Sequence, residues 1–72
     1  MERYEIGRHD QDGRTDVMNF EETKYFAFEN AKQLSFEYPS AIITIFDRLA
    51  HHGQIELWRF SFGKVISSER KA

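Results

Sequence analysis

Ala41-Ile42-Ile43-Thr44-Ile45-Phe46-Asp47-Arg48-Leu49-Ala50, followed after His51-His52-Gly53 by Gln54-Ile55-Glu56-Leu57-Trp58-Arg59-Phe60-Ser61-Phe62, decides the reading of this chain. Both segments are rich in β-branched and aromatic residues, and the short link with its glycine suits a hairpin. Successive strand side chains point to opposite sides. Ile42 and Phe46 then face away from Ile43 and Ile45, and Trp58, Phe60 and Phe62 face away from Ile55 and Leu57. The pairing depends on the loop: a three-residue loop aligns Phe46 with Trp58, and a two- or four-residue loop puts Ile45 on the face with Trp58 and Phe60. Either register leaves large apolar groups on both faces, with Trp58, Phe60 and Phe62 expected to pack as core beneath a helix.

The helix that could cover one of those faces lies upstream. Asn19 can cap its first free amides, Glu22 completes a capping box, and Glu21 and Glu22 suit the positive end of the dipole. At helical spacing Phe20, Ala27, Ala31, Leu34 and Tyr38 form one stripe with Phe28 at its margin, and Pro39 ends the helix near Tyr38. Tyr25 and Phe36 fall on the opposite side, flanking Lys32.

Residues 3–9 alternate weakly, with Tyr4 and Ile6 on one side, as an edge strand would. Asp10-Gln11-Asp12-Gly13 is a turn signature, and Arg14 to Met18 can complete a hairpin. Gly63-Lys64 permits a second turn into Val65-Ile66, and the polar residues 67–72 are expected to fray. The expected fold is α+β: one domain spanning residues 1–72, a small antiparallel sheet of three to five strands, ordered as strand or hairpin, helix, hairpin, with one helix packed on one face.

A chain of 72 residues buries only about 60% of its unfolded surface, so its stability is marginal. Seven Phe, three Tyr and one Trp supply the compensating apolar area. Without cysteine, disulfides and thiolate metal sites are excluded. Met1 to Arg8 is charged, so neither a signal peptide nor a membrane span is expected, and the cytoplasm is the default location. Residues 1–40 carry five Lys or Arg against nine Asp or Glu, and residues 41–72 five against three. The acidic first half argues against general nucleic-acid binding.

Chemical motifs are sparse. His51 and His52 adjoin each other in a turn and do not converge on a metal, although interface contacts are open to them. Asp10, Asp12 and Asp16 lack the glycine and glutamate spacing of a calcium loop. No phosphate loop, serine elbow or nucleophile–base pair is present, so the expectation is a protein that is not an enzyme and uses no cofactor or metal.

One helix cannot cover both faces of the hairpin, which predicts a spare apolar surface and a non-enzymatic protein-binding module acting as a homodimer or on a larger assembly. The candidate contacts are Tyr25, Lys32 and Phe36 on the helix, and Arg48, His51, His52, Ile55, Leu57, Arg59 and Lys64 on and around the hairpin. The alternative is a single-stranded nucleic-acid binder, with rings stacking on bases and Arg48, Arg59 and Lys64 holding phosphates.

The order of a short amino-terminal strand, a helix opened by Met18-Asn19-Phe20-Glu21-Glu22-Thr23, the strand Ile42 to Arg48, a turn with Gly53 and the strand Glu56-Leu57-Trp58-Arg59-Phe60 resembles small phage-encoded accessory proteins, among them some anti-CRISPR inhibitors. The resemblance covers most of the chain and is one of layout, with no motif to carry site residues across. It implies a compact decoy or blocker that occupies a surface of a nucleic-acid-guided defence complex.

Overall fold

The computed structural model describes residues 2–49 and 55–67. Five strands and one helix follow in the order β1 (Tyr4–His9), β2 (Thr15–Glu21), α1 (Lys24–Glu37), β3 (Ile42–Asp47), β4 (Ile55–Ser61) and β5 (Lys64–Ser67). They make one antiparallel sheet in the order β2-β1-β3-β4-β5, with the helix packed against it. The expected α+β architecture is therefore the observed one.

The helix meets the sheet through a stripe of small side chains, Ala27, Ala31 and Ser35, all buried. Their spacing of four keeps them on one face, and their size lets the helix axis come close to the strands. Beneath it lie Tyr4 and Ile6 from β1, Ile43 and Ile45 from β3, and Leu57 and Phe60 from β4. Phe28 and Leu34 close the flanks, and the Phe28 ring stands edge-on to Trp58 at 5.4 Å and to Phe60 at 5.0 Å. Edge-to-face geometry at these separations suits the ring quadrupoles.

Three expectations are corrected. The amino-terminal strand is interior, paired with β2 on one side and β3 on the other, so Tyr4 and Ile6 are core residues. Gly7 gives this strand room: a β-carbon there would approach the Thr44 hydroxyl to 3.0 Å.

The helix begins five residues later than Asn19. Asn19, Phe20 and Glu21 continue β2 by pairing with Ile6, Glu5 and Tyr4, and Thr23 caps the helix by accepting a hydrogen bond from the Phe26 amide at 3.2 Å. Strand pairing has overridden the capping-box signal, and Phe20 leaves the helical stripe for the sheet, where the Arg48 guanidinium sits 4.9 Å from its ring.

The third correction concerns the hairpin. Ile45 pairs with Trp58, but Phe46 pairs with Glu56, which leaves Leu57 as the extra residue of a β-bulge. A bulge sets two residues against one and breaks strict alternation. Leu57 consequently joins Trp58 and Phe60 on the helix side, and the outward face of β4 receives Glu56 and Arg59. Leu57, Trp58 and Phe60 do not split across the two faces.

The face away from the helix is accordingly mixed. Arg59 Nε donates to Glu56 Oε2 at 2.7 Å, and the Thr44 hydroxyl shares a hydrogen bond with His9 Nε2 at 2.9 Å, between the half-buried Ile42 and Phe46. The chain ahead of β1 is tied to the end of β3 by Arg3, whose Nε and Nη2 donate to the two carboxylate oxygens of Asp47, each at 2.8 Å. This fork, helped by the Leu49 amide, holds the Asp47 carboxyl below its ordinary range and raises Arg3 above its own.

Candidate protein-binding surface

The connection between β4 and β5 is two residues long, Phe62 and Gly63, with φ of 47° and 80°. Positive φ at both central positions is the turn form whose twist matches the flanking strands, and Asn-Gly is its usual sequence. A phenylalanine at φ 47° is an outlier, since the left-handed region costs an ordinary residue about 1–2 kcal/mol.

The turn is held against the helix end. The Ser35 hydroxyl donates to the Lys32 carbonyl at 2.7 Å and accepts from the Gly63 amide at 2.7 Å. The Phe36 ring lies over Gly63, in the space a side chain would need, and meets the Phe62 ring edge-on at 5.5 Å. Despite this contact, Phe62 keeps 60% and Phe36 48% of their surface in solvent. Val65 and Ile66 of the adjoining edge strand are also exposed. Helix end, turn and edge strand together form an apolar corner, with Lys32 one helical turn before Phe36 and Lys64 directly after the turn.

The sequence candidates distribute unevenly around this corner. Phe36 belongs to it, with Lys32 one turn away on the same helix face, whereas Lys64 pairs with Ser61 and so lies on the sheet face away from Phe60 and the helix. Tyr25 is exposed, but it lies eleven residues before Phe36, at the other end of the helix, with its ring 5.3 Å from that of Phe26. Tyr25 and Phe36 therefore form two separate aromatic pairs.

Arg48 is exposed at the end of β3, where it also donates to the Glu2 carbonyl at 3.3 Å. Arg59 faces outward and is neutralised by Glu56, whose hydrogen bond raises its pKa. Leu57 is corrected from contact residue to core residue: the bulge turns it inward, to 3% exposure. His51 and His52 lie outside the described residues, as does the side chain of Ile55, whose backbone pairs with Asp47.

Sequence reasoning missed Phe62, assigned there to the core. The signal available was its position directly before a glycine between two apolar strands, which is where a two-residue turn belongs.

Catalytic or metal chemistry finds little to build on. Asp10 and Asp16 face Arg8 at 3.2 and 3.6 Å, and Asp12 faces Arg14 at 3.5 Å. A shallow cleft of about 170 Å³ beside His9 is lined by Glu5, Gly7, Thr15, Asp16, Val17 and Phe46. Among the described residues, no group of three His, Cys, Asp or Glu is placed to hold a metal, and no helix is long and apolar enough to cross a membrane. Compared with known protein families, curated proteins and solved structures, the chain matches none.

Proposed function

We propose that the protein is a non-enzymatic protein-binding module that docks through the corner formed by Phe36, Phe62 and β5. The observation that carries this reading is Phe62 itself. Its backbone conformation costs about 1–2 kcal/mol, and its edge-on contact with Phe36 returns about 0.5–1.5 kcal/mol. Strain therefore offsets much of what that contact returns, while most of the ring stays in water. Large rigid rings at the centre of an apolar patch are the residues that anchor protein interfaces.

Among partners for such a module, the resemblance of its layout to some anti-CRISPR inhibitors makes a subunit of a nucleic-acid-guided defence complex one to test, and a second copy of the chain another. The nucleic-acid reading is weaker on charge: Arg59 is engaged by Glu56, which leaves few free cations on the β4–β5 hairpin to neutralise phosphates.

The experiment is affinity capture from the native host with the unaltered protein and Phe62→Asn as parallel baits. A protein held by the first and released by the second is the expected result. Identical captures, or none from either bait together with a strictly monomeric protein in sedimentation, contradict the reading.

A further inference from the structure

The sheet face away from the helix has an acidic end and a basic end. Cross-strand pairing sets Glu5 beside Phe46, and Phe46 beside Glu56, at one end. Four residues further along β1, His9 pairs with Ile42, and Lys64 shares their face through its pairing with Ser61. Between the two ends Gly7 pairs with the exposed Val17 on one side and with Thr44 on the other. Among the described residues no second layer covers this face. Arg48 lies beyond the acidic end with its guanidinium over the Phe20 ring. Arg59 occupies Oε2 of Glu56, and a carboxylate has lone pairs for further donors.

Opposite charges at the two ends make the face complementary to itself when it is turned over. A two-fold axis crossing the strands at Gly7 and Thr44 lays the acidic end of each copy on the basic end of the other. Glu5 then meets His9, Glu56 meets Lys64, and Phe46 packs on Ile42. A two-fold axis along β3 would instead set Glu5 against Glu56. With its marginal side chains the five-stranded face covers about 500 Å² in each copy. Over two copies that is about 1,000 Å², the lower end for a specific interface.

We infer that this face binds a second copy of the chain, as an isologous dimer about the axis through Gly7 and Thr44. Its modest area sets dissociation in the range of about 10–100 µM. Two sheets packed in this way keep their strand directions within about 30°. The Phe36–Phe62 corner lies outside the contact, so the dimer displays two corners, and a partner with two sites gains by avidity. The dimer does not depend on what the corner binds.

The test is sedimentation of the unaltered protein from about 5 to 500 µM, which brackets that range, with concentration-dependent amide shifts to map the contact. A dimer is expected, with shifts at Gly7, Val17, Ile42 and Thr44. Val17→Glu places two carboxylates face to face near the axis and should weaken the dimer about tenfold or more. Lys64→Glu, at an exposed position on the edge strand, should weaken it about fivefold. Phe62→Asn should leave it unchanged.

A monomer throughout the range overturns the inference. So does a dimer that Phe62→Asn breaks and Val17→Glu leaves intact, which puts the second copy on the corner. A monomeric protein whose capture of a host protein depends on Val17 also overturns it, because a different partner then covers the face. A dimer that persists while host capture ceases to depend on Phe62 refutes the binding corner and supports the dimer.

Discussion

The Phe36 ring fills the space that a β-carbon at Gly63 would occupy, so residues 27 positions apart share one volume at the end of the helix. Gly63 also sits at φ 80°, where an L side chain is strained. Gly63→Ala should therefore destabilise by about 2 kcal/mol or more. Adding Phe36→Ala should recover the steric share and leave the backbone share. Urea unfolding of the two singles and the double closes this cycle.

Ser35→Ala removes an acceptor from the Gly63 amide without touching either ring. The expected loss is about 1 kcal/mol, concentrated in the hairpin. Amide hydrogen exchange should quicken in β5 before it changes in β1 and β3.

The bulge at Leu57 makes an asymmetric demand on β4. Leu57→Ala should cost about 2–4 kcal/mol as a buried truncation, and Arg59→Ala less than about 1 kcal/mol because its ion pair is solvent-exposed. An uninterrupted strand with Leu57 and Arg59 on one outer face would give two small effects. Thermal unfolding of the two variants decides between these arrangements.

Asp47 gives the fold an acid limb. Its folded pKa lies below the unfolded one because Arg3 and the Leu49 amide favour the carboxylate. The stabilisation is complete above the ordinary carboxylate range, near pH 4, and is lost as pH falls below that range through the folded value. Asp47→Asn should lower stability at neutral pH and flatten this limb; unfolding midpoints across acidic pH test it.

Much of the fold was legible because its signals were local. The β-branched run Ile42–Phe46, the turn residues Asp10–Gly13 and the stop at Pro39 each act through nearby backbone, and each marks an element boundary in the structure. What could not be read depended on partners distant in the chain. Asn19 and Glu22 carry a capping signal, yet Asn19 to Glu21 pair with Ile6, Glu5 and Tyr4 instead. Leu57 turns inward through a bulge that no alternation rule announces.

The candidate site shows the same division. Lys32 and Phe36 could be placed on one helix face from spacing alone, and Lys64 could be set beside a turn. The meeting of Phe36 with Phe62 required knowing that the β4–β5 turn docks on the helix end.

The most direct test of the central claim is the urea unfolding free energy of Phe62→Asn. Asparagine tolerates the left-handed turn position, so relief of strain should offset the lost ring contact, and the account predicts stability within about 1 kcal/mol of the unaltered protein. A loss of about 3 kcal/mol or more, the scale of a core aromatic truncation, would make Phe62 an anchor of the fold and contradict its assignment to recognition.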